Sequence, residues 1–163
     1  MKKLAFTLNG QPVQVAAEPG ERAVDLLRRL GALDVKEGCG TGECGACSVL
    51  VDGAHKLSCL MLAAQFAGRE ITTAQGLGTP ENPHPVQRAF AAHGAVQCGF
   101  CTPGMTIAAA ALLDNNPAPT REQARRAISG NLCRCTGYAM ILDAIDEAAR
   151  ERAGDFEEEG GEA

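Results

Sequence analysis

Eight cysteines are the residues of this chain most able to do chemistry, and the first four follow a defined spacing. Four residues separate the first from the second, two separate the second from the third, and eleven separate the third from the fourth. Four, then two, then a distant fourth is the plant-type spacing of thiolates around a 2Fe-2S cluster. We therefore interpret these residues, here called the first cysteine set, as the ligands of one cluster. The set is Cys39, Cys44, Cys47 and Cys59.

Four glycines alternate with these cysteines in the stretch GCGTGECGAC. A cluster held by four thiolates is anionic and needs backbone N–H groups close to its sulfurs. Glycine has no Cβ to block that approach, and it adopts the positive φ that turns successive N–H groups inward. We predict that this loop cradles the cluster. The glycines concerned are Gly38, Gly40, Gly42 and Gly45.

The other four cysteines form two close pairs, in QCGFCTPG and in GNLCRCTGY. Each pair falls on a turn between two expected helices, so two turns at one end of a bundle would bring four sulfurs together. A structural zinc site is the alternative, although only one residue separates the last pair and zinc motifs usually separate paired ligands by two to four. A second 2Fe-2S cluster would complete a two-centre electron relay. This second cysteine set is Cys98, Cys101, Cys133 and Cys135.

Composition narrows the classes of function. A chain of 163 residues can bury one ordinary core or two small ones, which is too little for a large catalytic domain. With 4% aromatic residues there is little to stack on bases, so we expect no nucleic-acid partner. No apolar run approaches the ~20 residues that span a bilayer, and the start MKKLAFTLNGQPVQV lacks the apolar region of a signal peptide, so we expect no membrane partner. We predict a cytoplasmic chain, where eight cysteines favour a metal or redox site over disulfides.

The elements that must position the first set form the first half of the chain. Hairpin turns are predicted at Asn9-Gly10 and Asp52-Gly53, because both dipeptides tolerate positive φ. Apolar residues at helical spacing predict a helix over 22–31, and Ser58 is expected to cap a helix ending near Ala67. The predicted strands are 4–8, 12–17, CSVLV, AHKLS and EITTA.

The second half changes to a helical period after the Gly- and Pro-rich stretch GLGTPENPHP. Thr102 is expected to cap a helix whose first residue is Pro103, and Gly130 is expected to end the following helix. That following helix should begin with a capping box formed by Thr120 and Gln123. The four predicted helices contain VQRAFAAH, TPGMTIAAAALLDNN, TREQARRAISG and YAMILDAIDEAARER.

These elements predict an α+β fold. We expect a β-grasp plant-type ferredoxin domain over residues 1–76, a linker over 77–85, and a four-helix bundle 2Fe-2S domain over 86–152. Residues 153–163 are predicted to be a disordered acidic tail, since the last eleven residues hold five acids and no base. The net charge of −5 therefore belongs to the tail.

Three stretches resemble the small iron–sulfur subunits of the xanthine oxidase family of molybdenum hydroxylases. They are GCGTGECGACSVLVDG, QCGFCTPGM and SGNLCRCTGY, and the resemblance extends over residues 4–150. All eight cysteine positions match the pattern with no departure. Ser48, where threonine is common, is a harmless difference, and only the acidic tail lies outside the pattern. The resemblance implies one 2Fe-2S cluster in each half.

The resemblance also implies a place for each cluster. The second set would lie near molybdenum and the first near a flavin, with Gln97 and Cys135 contacting a pterin held by a partner. The partners would be a large molybdopterin subunit, together with a medium FAD subunit, in a dimer of heterotrimers. The chain would conduct electrons during hydroxylation of an N-heterocycle, purine, aldehyde or similar substrate, and it would hold no catalytic residue.

Two alternatives remain open from the residues alone. The chain could be a free ferredoxin with two clusters, or a zinc-stabilised interaction module without redox activity. Iron and acid-labile sulfide in the purified protein would exclude the zinc module, whereas copurification of larger subunits would exclude the free ferredoxin.

Overall fold

Two tight turns shape the sheet of the first half, as predicted. In this computed structural model, which describes residues 2–154, both residues of each turn have positive φ: Asn9 50°, Gly10 75°, Asp52 49° and Gly53 77°. Turns of this kind match the twist of the strands that they join. The strands are β1 (Lys2–Leu8), β2 (Gln11–Ala17), β3 (Ser48–Val51), β4 (Ala54–Leu57) and β5 (Glu70–Thr72).

The five strands form one sheet in the order β2-β1-β5-β3-β4. Strands β1 and β5 pair in parallel, and the other neighbours pair antiparallel. Helix α1 (Ala23–Arg29) buries Leu26 and Leu27 in a core that also contains Phe6 and Phe66. The predicted mixed sheet with a helix packed on it is therefore confirmed.

The segment after β4 does not form the single helix predicted from Ser58 to about Ala67. Two short 3-10 turns replace it, Ser58–Leu60 and Ala63–Phe66, with extended backbone between them. Ser58 caps nothing, because its buried hydroxyl donates to the carbonyl oxygen of Cys47 at 2.8 Å. That bond draws the segment carrying Cys59 against the cysteine loop.

The second half is helical, as predicted. A short helix, α2 (Ala74–Leu77), comes first and continues one residue into the stretch predicted as the linker. Four longer helices follow it. They are α3 (Pro85–Ala92), α4 (Thr102–Asn115), α5 (Arg121–Ala127) and α6 (Ala139–Ala153).

The predicted helix ends are partly wrong. Helix α4 begins one residue early, so Cys101 is its N-cap and Thr102 already has helical geometry. Helix α5 ends at Ala127 and not at Gly130, which lacks the positive φ of a glycine cap. The capping box is confirmed, since the Thr120 hydroxyl accepts from Gln123 N at 3.2 Å and Gln123 Oε1 accepts from Thr120 N at 2.7 Å.

Helix α4 joins the two halves. Its residues from 104 to 111 are all buried, and a helix that is apolar all round must be covered on every side. Met105 and Leu113 pack in the core of the helical half, whereas Ile107 and Ala111 pack with Leu50 of the sheet. The helix that begins at the second cysteine set is therefore anchored in the half that holds the first.

Helix α6 reaches Ala153, and Gly154 ends it with a φ of 80°. The helix thus extends to the predicted start of the tail, and the rest of the predicted tail, residues 155–163, lies outside the described residues. Among the helices described, none combines the length and the apolar character needed to cross a membrane.

Candidate metal centres

The loop between α1 and β3 directs backbone N–H groups at the sulfur of Cys39. Its Sγ accepts from the amides of Thr41 at 3.4 Å, Glu43 at 3.3 Å and Cys44 at 3.4 Å. Hydrogen bonds from the hydroxyl and amide of Thr41, followed by the other two amides, lower the pKa of the Cys39 thiol to about 5. The loop is therefore built to stabilise a thiolate, which is the form of cysteine that binds metal.

The other half of the first set is buried. Cys47 is 2% exposed and Cys59 is 5% exposed, and both belong to the core beneath the sheet. Burial raises the pKa of Cys59 to about 11, and a hydrogen bond with Cys47 adds to the shift. These two thiols face each other, as the predicted ligand set requires.

The four loop glycines do not share one role. Gly40 and Gly42 have φ of 68° and 83°, and they precede two of the amides that reach Cys39. Gly38 has no positive φ, but a Cβ there would lie 2.9 Å from the sulfur of Cys44. Gly45 combines a φ of 70° with a close approach to the second half of the chain, at Asn131.

The second cysteine set comes together where the two predicted turns meet. Cys98 lies on the turn before α4, Cys135 lies on the turn between α5 and α6, and their sulfurs are 3.6 Å apart. Cys101 and Cys133 also form a hydrogen-bonded pair. Cys98 and Cys135 are exposed, whereas Cys101 and Cys133 are half-buried. The set therefore has an outer pair and an inner pair.

The electrostatics differ between the members of this set. Burial, with a hydrogen bond to Cys133, raises the pKa of Cys101 to about 12. The backbone amide of Phe100 lowers the pKa of Cys98, and the hydrogen bond from Cys135 lowers it further. The same bond raises the pKa of Cys135. Each set thus contains one sulfur whose thiolate form is stabilised by N–H donors and one sulfur whose pKa is raised by desolvation, Cys59 in the first set and Cys101 in the second.

Tyr138 shapes the turn that carries Cys133, and sequence reasoning missed this role. Its hydroxyl accepts from the Cys133 amide at 2.8 Å, and Thr136 Oγ1 lies 3.1 Å from Cys133 Sγ. Tyr138 has a φ of 69°, which costs a residue with a side chain about 1–3 kcal/mol. It is the only tyrosine in the chain, and its place three residues after Cys135 was the available signal.

The donors approach one another in pairs. Within residues 2–154, no three histidine, cysteine, aspartate or glutamate side chains converge as tightly as a single metal ion requires. The close approaches are between two thiols at a time, Cys98 with Cys135 and Cys101 with Cys133 in the second set. Four thiolates around two irons form two such pairs, so the donor sets fit a 2Fe-2S cluster better than one zinc ion.

A seam of close backbone contacts joins the two sets, and the sequence did not predict it. The amide of Leu132 donates to the carbonyl oxygen of Cys44 at 2.9 Å. Asn131, which is 2% exposed, donates from Nδ2 to the carbonyl oxygen of Gly45 at 3.0 Å. A Cβ on Gly104 would lie 2.4 Å from that same oxygen. We use "the seam" below for these five residues.

The seam contains an unpaired polar atom. Asn131 Oδ1 is buried and has no hydrogen-bond partner among the described residues, which costs about 1–3 kcal/mol. Burying Asn131 therefore costs stability at Oδ1, while its Nδ2 group supplies the hydrogen bonds that join the two halves.

Gln97 lies beside Cys98 on the turn before α4 and is exposed, as is Cys135. The predicted contact of both residues with a partner's pterin requires that exposure and stays a prediction. Other polar residues of the helical half pair with one another. The His93 ring hydrogen-bonds with the Glu147 carboxyl group, and Arg121 forms ion pairs with both Asp143 and Asp146.

Comparison with known proteins assigns a cluster-binding family to each half. Residues 6–71 match the "2Fe-2S iron-sulfur cluster binding domain", and residues 73–146 match the "[2Fe-2S] binding domain". Together the two matches cover nearly all of the residues that the structure describes.

Two named relatives match this chain over most of both sequences. The nicotinate dehydrogenase small FeS subunit of Eubacterium barkeri is 49% identical over 86% of this chain and 90% of its own. The xanthine dehydrogenase iron-sulfur-binding subunit of Escherichia coli O157:H7 is 50% identical over 85% of this chain and 89% of its own.

Solved structures share the fold. Quinoline 2-oxidoreductase from Pseudomonas putida 86 has a chain that superposes with a TM-score of 0.89 at 46% identity, covering 94% of this chain and 96% of that one. The aldehyde oxidoreductase of Desulfovibrio desulfuricans superposes with a TM-score of 0.92 at 42% identity, over 95% of this chain but 18% of that longer chain. The chain belongs to the family of iron–sulfur subunits of the molybdenum hydroxylases, with one 2Fe-2S-binding domain in each half.

Proposed function

We propose that this chain is the electron-transfer subunit of a multi-subunit molybdenum hydroxylase. The observation that supports the proposal is that cysteines of each set approach one another in pairs, Cys47 with Cys59 and Cys98 with Cys135, and that one seam joins the loops of the two sets. The relatives named above include iron–sulfur subunits of nicotinate and xanthine dehydrogenases, which supports the same role.

The residues of the chain hold and insulate the centres. The first set would bind one 2Fe-2S cluster through Cys39, Cys44, Cys47 and Cys59, and the second would bind another through Cys98, Cys101, Cys133 and Cys135. Each cluster, when bound, supplies a one-electron redox centre. The amides directed at Cys39 and the amide of Phe100 beside Cys98 stabilise the negative charge on those sulfurs.

The direction of electron flow that we propose is the one that the family resemblance implies, and the exposure of the second set is consistent with it. Cys98 and Cys135 reach the surface, so electrons from a partner's molybdopterin would enter at the second set. They would leave from the first set toward FAD in another partner. Oxidation of an N-heterocycle, purine, aldehyde or similar substrate would occur in the molybdopterin subunit, and this chain would supply no group that touches the substrate.

Two apolar patches are the docking faces that we propose for these partners. The first contains Val96, Phe100 and Leu132, all exposed and each within two residues of a cysteine of the second set. We assign it to the large molybdopterin subunit, with Gln97 and Cys135 at the pterin. The second contains Leu60 and Leu62, exposed beside buried Cys59, and we assign it to the medium FAD subunit. A dimer of such heterotrimers is the assembly that we propose.

Coexpression of this chain with its proposed large molybdopterin and medium FAD subunits tests the electron-transfer role. In the purified complex, Cys135→Ser should stop reduction of the flavin by substrate, while the first cluster remains visible by EPR. Unchanged turnover would contradict the proposed route of electrons. Failure of the large and medium subunits to copurify with the coexpressed chain would support a free ferredoxin instead.

A pair of surface variants tests the docking faces separately. Val96→Glu places a charge in the first patch, and Leu62→Glu places the same charge in the second. We expect Val96→Glu to release the large subunit and Leu62→Glu to release the FAD subunit, each without loss of iron, as measured by size-exclusion chromatography with metal analysis. Release of the same subunit by both variants would contradict the assignment.

A further inference from the structure

The seam connects a ligand of the first set to a ligand of the second through almost continuous bonds. From Cys44 Sγ, covalent bonds lead to the carbonyl oxygen of the same residue, and this oxygen accepts from the Leu132 amide at 2.9 Å. Leu132 is bonded directly to Cys133, whose side chain ends at Sγ. One hydrogen bond is therefore the only gap along this line.

We propose that the Leu132-to-Cys44 hydrogen bond is the bridge by which electrons cross between the two clusters. The inference rests on the proposed function and adds a specific route to it. In each crossing the second centre loses one electron and the first gains it, with no bond made or broken and no proton moved. Electronic coupling falls off more slowly through bonds than across empty space, so a line with a single gap dominates over longer contacts.

Asn131 is the positioning residue of this bridge. Its Nδ2 donates to the Gly45 carbonyl at 3.0 Å and to Ser48 Oγ at 3.2 Å, and Ser48 Oγ donates to the same carbonyl at 2.7 Å. All three groups are buried, so no water competes for these bonds. The network fixes the peptide next to Cys44 relative to the peptide next to Cys133.

Two glycines allow the backbones to come this close. A Cβ on Gly104 would lie 2.4 Å from the Gly45 carbonyl oxygen, and a Cβ on Gly45 would lie 2.5 Å from Asn131 Nδ2. Gly104 lies in the first turn of α4, where alanine would favour the helix itself. Glycine at position 104 therefore does not stabilise the helix, but it allows α4 to approach the loop that contains Gly45.

A second contact between the halves offers a competing route. The ring of Phe100 lies 5.6 Å from Lys36 Nζ, and its Cε1 lies 3.6 Å from the position of a Cβ on Gly38. This contact is through space and on an exposed side chain, so we assign it a structural role. Phe100→Ala is the variant that tests this assignment.

The test uses the full chain with both clusters bound. Leu132→Pro removes the amide donor, and Leu132→Ala removes only the exposed side chain and keeps the amide. Pulse radiolysis delivers less than one electron per chain, and rapid-freeze EPR follows its movement between the two clusters. We expect crossing to slow several fold in Leu132→Pro but not in Leu132→Ala, with both reduction potentials and both sets of g-values unchanged, because the ligands are intact.

A second pair of variants covers the case in which Leu132→Pro does not fold. Gly104→Ala forces the loops apart, and Gly130→Ala is its control, since a Cβ on Gly130 meets nothing within 4 Å. Crossing should slow several fold, and the magnetic coupling between the two reduced clusters should weaken, in Gly104→Ala alone.

Two results would overturn the bridge. One is crossing at the original rate in Leu132→Pro, or in Gly104→Ala when Leu132→Pro does not fold. The other is slowing by Phe100→Ala that equals or exceeds the slowing by the bridge variants. A chain without iron would instead overturn the proposed function, so the two failures are distinguishable.

Discussion

The first cysteine set lies against a sheet, and the second lies at the end of a helical bundle. Cys47 and Cys59 are part of the hydrophobic core, whereas Cys98 and Cys135 are exposed at the surface. The first loop directs three backbone amides from within five residues at the sulfur of Cys39, while the second set is assembled from two turns in distant parts of the chain. The first set therefore has two buried members and the second has two exposed members. This difference is consistent with the proposed entry of electrons at the second set and their passage from there to the first.

The largest contrast should come from removing one ligand in each set. Both variants should empty one site and lose the stabilisation that its cluster provides. Cys59→Ser also leaves a hydroxyl in the core, so its free energy of unfolding should fall by about 1–3 kcal/mol more than that of Cys98→Ser, which changes an exposed position. Denaturant unfolding measures both, and iron should fall from about four to about two per chain in each variant. Equal losses of stability would contradict the contrast between the halves.

The contact between the halves should give the next largest effect. Gly45 and Gly68 have nearly the same φ, 70° and 71°, so alanine brings the same backbone strain of about 1 kcal/mol to each. Only Gly45→Ala also meets the side chain of Asn131, and its total cost should reach about 3 kcal/mol. Thermal unfolding of the two variants measures the difference, and Gly20→Ala, which has neither problem, is the baseline. A similar cost at Gly45 and Gly68 would show that the seam contributes little.

A smaller effect should be confined to the second set. Tyr138→Phe removes the acceptor of the Cys133 amide and should lower the free energy of unfolding by about 1 kcal/mol. The EPR signal of the second cluster should shift, while that of the first stays in place. A shift of both EPR signals would mean that the effect of Tyr138 is not confined to the second cysteine set.

The smallest expected effect is a pH dependence at the start of α3. Burial, with a smaller contribution from Arg152, lowers the pKa of His84, whose Nδ1 accepts from the Val86 amide. Between the ordinary histidine pKa of about 6.5 and the lower folded value, the unfolded chain binds more protons, so the free energy of unfolding falls as pH falls. His84→Asn keeps a capping acceptor and removes the titration, so its melting temperature should drop less between about pH 7 and pH 5. Parallel curves for the two proteins would contradict this account.

The sequence predicted the local features well because short-range physics determines them. The turns at Asn9-Gly10 and Asp52-Gly53 and the capping box at Thr120 each depend on residues only a few positions apart. Each follows from a pattern with a known mechanism. The α+β class follows from the change of hydrophobic period between the halves.

The errors lie where tertiary contacts override a local preference. Ser58 is a good capping residue, yet its hydroxyl bonds to Cys47 because the fold needs that link across the cysteine loop. Gly130 is a good helix terminator, yet α5 ends earlier because the chain must turn to bring Asn131 to Gly45. Neither requirement is visible within a few residues of sequence.

The seam itself was missed for the same reason. Asn131 and Gly45 are 86 positions apart, and the sequence around either residue gives no sign of a contact with the other. The one available signal was the alanine-rich middle of α4, which has no polar face and therefore implied partners on two sides. The sequence predicted which residues could hold two centres, but only the fold shows how the two are joined.

Metal analysis with EPR on the full-length chain, purified without oxygen, tests whether the two cysteine sets hold two clusters. The account predicts about four irons and four acid-labile sulfides per chain. After reduction by dithionite, it predicts two distinct EPR signals of equal integrated intensity. It also predicts that Cys59→Ser removes one signal and Cys98→Ser the other. Zinc in place of iron, or a single signal that both variants remove, would contradict it.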